Sequence, residues 1–354
     1  MGKTLVTGAT GLLGSHLVRA LAARGDDLRL LIRRESDTSA LEGVEFERVT
    51  GDVTDRRAVR RAVEGASRVF HVAGKTSLAT ADQNRTFDVN VGGTSLVAQE
   101  SLAAGVERLV YTSSVAAIGP APVGGRADES QRFTAGRLGI AYVNSKHEAE
   151  SEVLRAAAQG LDAVIVNPTF AIGPSAGNTT SLSIELIRKF LQRRIPAYVD
   201  GGLNVVDVRD VATGHMLAEV SGRKGERYIL GGRNFTMQRL FADLSRISGV
   251  PVPTLRLPPQ IAVGGARLSE QLHLGLGLSA DEARSASLWW TYSSAKAKRE
   301  LGFSARPHEE TLEAALEMTS AQLGDKVGSD PGPAGAVIDA AGRATRLAGR
   351  LIPR

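Results

Sequence analysis

No cysteine occurs anywhere in the 354 residues, which excludes disulfides, thiolate metal sites and a thiol nucleophile. That absence fits a reducing compartment, and a cytoplasmic location is the expectation. No run approaches the ~20 consecutive apolar residues that a spanning helix needs. An apolar strand starts at Lys3, which leaves no room for a charged n-region and an apolar h-region, so no signal peptide is expected. Aromatic residues make up only 5% and the formal net charge is only +5, with acids and bases interleaved, so a nucleic-acid partner is not expected. The six histidines show no metal-ligand spacing, and no Asp–His–Ser arrangement is readable, so no metal is expected. At this length, 42% hydrophobic residues are enough for a full core without staples.

Short apolar runs alternate with helical stretches through the first half, the pattern of βαβ units in a parallel sheet buried on both faces. Strands are predicted near 3–7, 28–32, 45–49, 68–72, 107–111 and 162–167, and helices near 12–24, 55–64, 83–104 and 141–158. The fold class is therefore α/β, a doubly wound parallel sheet of the Rossmann type. The expected division is a dinucleotide-binding domain over 1–167, joined by segments near 203–232, and a smaller C-terminal substrate lobe mainly over 168–324. That lobe is predicted to carry helices near 180–193, 210–221, 236–248 and 307–323, with Pro- and Gly-marked breaks around 248–259. Residues 325–335 read as a linker. The last segment, 336–354, sets apolar positions against Arg343, Arg346, Arg350 and Arg354. A loosely held terminal helix or frayed tail is the expectation, and a basic amphipathic helix on a membrane surface is the alternative.

The first strand runs directly into Gly8-Ala9-Thr10-Gly11-Leu12-Leu13-Gly14 and then a helix. Glycines there let the backbone turn tightly and approach a pyrophosphate, while the helix N-terminus offers N–H groups and positive dipole charge. Gly8, Thr10, Gly11, Leu12, Leu13 and Gly14 are accordingly expected at a dinucleotide. About 20 residues on, an acid would bind a ribose 2′-OH, but the second strand ends in Arg33-Arg34. Guanidinium groups there can pair with a 2′-phosphate, so NADP is expected, with NAD open; solvation of a strand end is the other reading of the arginines. Asp52 and Val53 close the third strand, where Asp52 either reaches adenine or caps a helix. Val72, Ala73, Gly74 and Lys75 follow the fourth strand, where small residues either admit the cofactor's middle or simply pack closely.

Tyr142 and Lys146 are four apart and share one helix face. A nearby ammonium and a cationic nicotinamide ring would lower the phenol pKa from its usual value near 10, making it an acid in reduction or a base in oxidation. Thr112-Ser113-Ser114 at the end of the fifth strand delivers hydroxyls to the same edge. Asn90 either supports the lysine through a water or backbone group or satisfies helix backbone. His147 is expected at an exposed helix position and Trp289-Trp290 as a packing anchor.

In this order the segments T-G-A-T-G-L-L-G, G-D-V, Y-T-S-S-V and Y-V-N-S-K resemble those of the extended short-chain dehydrogenases/reductases, over roughly residues 2–324. Within them the chain looks most like the dihydroflavonol-reductase-like and hopanoid-associated sugar epimerase-like branch. The resemblance implies Ser114, Tyr142 and Lys146 as catalytic residues with Asn90 in support, Ser113 being a rival for the serine. By the same resemblance Thr112, Tyr142, Lys146, Asn167, Pro168 and Thr169 would also line the cofactor. Asn167-Pro168-Thr169-Phe170 departs from the Arg-x-Phe-Asn type of nucleotide-sugar enzymes, and Ala73-Gly74 departs from the usual Ala-Ala. The expected activity is reduction of a ketone or aldehyde by an NADP(H)-dependent Ser–Tyr–Lys site. A nucleotide-sugar epimerase or dehydratase that uses bound cofactor transiently is the alternative, with Arg188, Lys189, Arg193, Arg194 and Arg209 as possible diphosphate ligands. A non-catalytic NADP sensor is a third reading. A small-molecule carbonyl substrate is the expected partner, and a homodimer is compatible with the sequence.

Overall fold

The computed structural model describes residues 2–77, 82–175, 181–195, 197–271 and 280–328. The tail 336–354 and most of the linker lie outside the described residues.

The strands are β1 (Lys3–Thr7), β2 (Leu28–Ile32), β3 (Glu47–Thr50), β4 (Ala66–His71), β5 (Arg108–Thr112), β6 (Ala163–Pro168), β7 (Phe170–Ile172), β8 (Ala197–Val199), β9 (Gly202–Asp207), β10 (Arg227–Leu230), β11 (Arg233–Thr236), β12 (Leu255–Leu257) and β13 (Trp289–Trp290). The helices are α1 (Leu12–Arg24), α2 (Arg56–Val63), α3 (Gln83–Phe87), α4 (Thr94–Ala103), α5 (Ala141–Ala158), α6 (Leu182–Leu191), α7 (Val208–Ser221), α8 (Met237–Ser248), α9 (Pro259–Gln271), α10 (Ala280–Ala286), α11 (Ala295–Leu301) and α12 (His308–Leu323).

Seven strands form one parallel sheet in the order β10-β6-β5-β4-β1-β2-β3. Alternate side chains of each strand go to opposite faces. Val6, Leu30, Phe70, Val110 and Val164 pack under α1, α7 and α11, whereas Leu5, Leu31, Val69, Leu109 and Ile165 pack under α2, α4 and α5. Each such fully buried side chain contributes roughly 2 kcal/mol of transfer free energy, which is why the strands read as nearly continuous apolar runs. Winding reverses between β1 and β4, so the connections that leave their paired carboxyl ends part to opposite faces of the sheet, the place where open α/β sheets bind ligands in a crevice.

The segment predicted as one helix over 83–104 is interrupted by a π-helical stretch, Asp88–Gly93. Asn90 is its buried polar residue, and its side chain bonds main chain outside the helix. Such a local widening commonly marks a place where a side chain is re-aimed.

After β6 the chain builds a second layer, in which β9 pairs with β7, β11 and β13, and β8 pairs with β12. Helices α6, α8 and α12 close over β7, β9 and β11. Between these excursions α7 and β10 return to the main sheet, β10 beside β6.

Candidate active site

The loop after β1 is shaped by close backbone approach. Gly8 takes φ +72°, and a Cβ on it would lie 2.6 Å from the Ala73 nitrogen. Gly14 sits in the first turn of α1, where a Cβ would lie 2.0 Å from the Gly8 carbonyl oxygen. Gly11 is the N-cap of α1 with no side-chain cap, which leaves the first-turn N–H groups aimed at the crevice. These residues fit a dinucleotide pyrophosphate.

The other cofactor candidates divide. Arg33 and Arg34 are exposed just past β2, in a turn closed by the Ser36 N–H donating to the Arg33 carbonyl at 3.2 Å. Arg48 on β3 donates to that same carbonyl at 3.1 Å, and the Arg33 guanidinium stands 3.5 Å from Glu35. Asp52 accepts from the Thr54 N–H and hydroxyl, while the N-cap of α2 is Asp55. Val53 is buried against Gly93. The main chain of Val72 and Ala73 is tied to Thr7, Val72 N–H to its carbonyl at 3.2 Å and Ala73 N–H to its hydroxyl at 3.2 Å. A Cβ on Gly74 would lie 3.2 Å from Lys146 Nζ and 3.3 Å from Asn90 Oδ1, so the departure from Ala-Ala leaves room for those two groups. Lys75 pairs with Asp82 at 3.1 Å.

The Ser114 hydroxyl, which accepts from the Ala116 N–H at 3.2 Å, lies beside the Tyr142 phenol and favours its ionisation. Ser113, the rival, is turned away: its hydroxyl donates to the buried Glu150 carboxylate at 2.6 Å. Successive residues at a strand end point to opposite sides, and the structure thereby separates the two serines. Lys146 is buried and donates to the Thr112 carbonyl at 2.9 Å, its ammonium 5.2 Å from the centre of the Tyr111 ring. Burial lowers the Lys146 pKa to about 8, and the negative charge of Glu150 opposes that shift. Burial pushes the Tyr142 phenol above its usual value and the Ser114 hydroxyl opposes it, so the lowering expected from the lysine is not present in the free protein. The phenol is therefore protonated near neutrality.

Asn90 clamps Lys75 at both ends, accepting from its N–H at 2.8 Å and donating to its carbonyl at 3.0 Å, and also donates to Ser145 Oγ at 2.9 Å. It holds the strand-end loop rather than Lys146 itself. The Thr112 hydroxyl faces His215 at 2.7 Å, away from Tyr142. Asn167 is fully buried and donates to the Ser114 carbonyl at 2.9 Å and to Glu150 at 2.6 Å, so its amide nitrogen faces the protein interior and not the crevice. Pro168 ends β6, and Thr169 beside it donates its N–H to the Leu230 carbonyl at 3.1 Å.

Several neighbours carry little signal in the sequence. Tyr142 packs in an apolar cluster with Ala116, Ile140, Val143 and the half-buried Phe133, Leu138 and Trp290. Trp290 is thus beside the site, although its neighbour in sequence, Trp289, bridges to Ala121 as a packing residue. His147 is not exposed: its ring stacks on Phe133 at 3.8 Å because a loop, invisible to helix periodicity, folds over that face of α5. Of the cations considered for a diphosphate, Arg209 is paired with the buried Asp207 at 2.7 Å, while Arg188 and Lys189 pair with Glu185.

Beneath the glycine loop His71 is fully buried between the Thr7 hydroxyl, 2.7 Å from Nδ1, and the Thr94 hydroxyl, 3.0 Å from Nε2. Desolvation, assisted by the Lys146 charge, lowers its pKa to about 3, and desolvation lowers that of buried His215 to about 4. Both stay neutral in the folded state at pH values where the unfolded chain takes up protons near 6.5. Stability should therefore fall as pH falls below 6.5, by about 2 kcal/mol for each histidine between pH 7 and pH 5. Urea melts across that range check this, and replacement of both histidines by Gln should flatten the dependence.

The model of the NAD dependent epimerase/dehydratase family matches residues 4–231. The chain is 41% identical over 305 residues to a Synechocystis protein provisionally named dihydroflavonol 4-reductase, covering 84% of this chain and 88% of that one. It is 42% identical over 269 residues to sterol demethylase protein B of Methylococcus capsulatus, covering 76% of this chain and 81% of that one. Among solved structures, a nucleoside-diphosphate-sugar epimerase from Pseudomonas aeruginosa superposes with a TM-score of 0.75 at 27% identity, covering 91% of this chain and 98% of that one.

Proposed function

Since the chain belongs to the NAD-dependent epimerase/dehydratase family and is an NAD(P)-dependent oxidoreductase, we propose that it reduces a ketone or aldehyde with NADP(H), using Ser114, Tyr142 and Lys146. What carries this reading is the gathering of Ser114, Tyr142 and a buried Lys146, whose ammonium is held by the Thr112 carbonyl, at the sheet edge that also bears the glycine loop.

When bound, a nicotinamide cofactor would supply the hydride that reduces the carbonyl carbon. Ser114 orients the carbonyl oxygen, and the Tyr142 phenol, kept protonated by burial, gives that oxygen its proton, so that the product is an alcohol. Lys146 holds a positive charge beneath the site, which stabilises the phenolate left behind until solvent returns the proton. Asn90 keeps the Lys75 loop in place at the nicotinamide end.

Two observations favour a net reductase over a nucleotide-sugar enzyme. Arg209 is committed to Asp207, and relatives bear the names dihydroflavonol 4-reductase and cinnamoyl-CoA reductase, which are names of reductases. The test is fluorescence titration with NADPH and NADH, after mass spectrometry for retained dinucleotide, followed by a screen of carbonyl compounds. Exchangeable NADPH and net oxidation by a ketone or aldehyde support the proposal. Retained NAD with sugar-nucleotide conversion and no net cofactor turnover would replace it by the epimerase/dehydratase reading.

Cofactor choice is assigned to the exposed Arg33 and Arg34. Converting both to Asp should cut the ratio of NADPH to NADH affinity by about tenfold or more, because a charge-assisted pair with the 2′-phosphate becomes repulsive. An unchanged ratio would remove these residues from the 2′-phosphate site.

A further inference from the structure

We infer that Glu150 is a positioning residue for this reaction: it anchors the Ser114 main chain opposite the Tyr142 phenol and keeps a negative charge behind Lys146. The inference rests on the reading of Ser114, Tyr142 and Lys146 proposed above.

Glu150 lies on α5 one turn beyond Lys146 and two beyond Tyr142, on the same helix face, and is only 4% exposed. Its carboxylate gathers the ends of three strands. Oε1 accepts from the Ser113 hydroxyl after β5 and from the Asn167 amide on β6, both at 2.6 Å, while Oε2 faces the Arg227 guanidinium on β10 at 3.3 Å. Asn167 uses the same amide nitrogen to hold the Ser114 carbonyl at 2.9 Å. One carboxylate thus fixes the main chain of Ser114 relative to the helix that carries Tyr142.

Packing alone does not require a charge here. Ala149 and Val153 on the same helix meet the sheet with apolar atoms, and a buried ion pair is seldom more stabilising than apolar groups of its volume. What an apolar residue would lack is the field at Lys146. The titratable and charged groups around that ammonium are Tyr142 and Glu150 on α5, Tyr111 on β5 and His71 on β4, with Arg227 on the far side of the carboxylate. Burial keeps His71, Tyr111 and Tyr142 uncharged near neutrality, so Glu150 is the group that holds Lys146 in its ammonium form.

The test follows the Lys146 side-chain carbon by NMR in the full chain labelled with ¹³C-lysine, its signal identified by its loss in Lys146→Arg. The wild-type midpoint is expected at about 8. Glu150→Gln should move it down by about one unit, leaving about fivefold less charged Lys146 at pH 8. Ser113→Ala, which removes one hydrogen bond and keeps the charge, should leave the midpoint in place. An unmoved midpoint in Glu150→Gln overturns the inference, whatever its melting temperature. Should that variant fail to fold, Arg227→Gln withdraws the opposing cation and should raise the midpoint; no rise overturns the inference equally. The NMR readout needs no turnover, so a protein that reduces no carbonyl yet shows these shifts would sink the proposed reaction and leave the charge coupling standing.

Discussion

Tyr142→Phe should lower the rate of carbonyl reduction about 10³-fold, within the range that positioned proton donors supply. The substitution removes one hydroxyl and leaves the ring that packs against Ala116, Ile140, Val143 and Trp290, so the fold should survive. Ser114 keeps the Ala116 N–H on its hydroxyl and remains held through its carbonyl by Asn167. The glycine loop lies at the end of a different strand, so NADPH affinity should stay near the wild-type value. Single-turnover oxidation of bound NADPH with a saturating carbonyl separates the two quantities. Reduction that proceeds undiminished would remove Tyr142 as the proton donor and with it the proposed mechanism. Direction matters as well: burial raises the phenol pKa, which suits proton donation but opposes proton abstraction, so alcohol oxidation should climb with pH while reduction stays level until the phenol ionises.

Gly14→Ala should weaken cofactor binding strongly and destabilise the fold. The added Cβ would lie 2.0 Å from the Gly8 oxygen, 2.8 Å from the Gly8 carbonyl carbon and 2.9 Å from the Ala9 Cα, all main-chain atoms with no flexible end to swing aside. The loop itself must move, and it is already pinned on its other side, where the Gly8 Cβ position is 2.6 Å from the Ala73 nitrogen. Overpacking of this kind costs about 3 kcal/mol, despite the better helix propensity of alanine. Displacing the first-turn N–H groups should weaken NADPH binding by about 100-fold, close to 2.7 kcal/mol. Gly25→Ala is the comparison: it sits at φ +89° with nothing within 4 Å, so it should cost only about 1 kcal/mol and leave binding intact. Thermal melts and fluorescence titration of the two variants decide the matter; equal affinities would show that the loop tolerates displacement.

Strand and helix positions in the first half were legible because each is a local pattern. The predicted strands at 3–7 and 28–32 and the helices at 12–24 and 141–158 coincide with β1, β2, α1 and α5, since apolar runs between helical stretches specify a doubly wound sheet without reference to distant residues. The second layer was legible only in its longer helices. Strands such as β7, β8 and β12 are three residues each, too short to show a period, and they exist because neighbours from elsewhere in the chain pair with them. The π-helical stretch around Asn90 was likewise unreadable, because the partner that draws its side chain out, the main chain of Lys75, is 15 residues away.

The same division runs through the site. The amino-acid order by itself determined the fold class, the glycine turn at the first strand–helix junction, and the placing of Tyr142 and Lys146 on one helix face, because those follow from residue type and spacing along a single element. Only the tertiary structure decided which of two adjacent serines meets Tyr142, why Gly74 stands where a larger residue would press on Lys146 and Asn90, and that Asn167 and Glu150 lie beneath the site rather than at its surface. Each of those depends on hydrogen bonds and contacts between strand ends far apart in sequence, and a buried polar group takes its role from the partner that satisfies it.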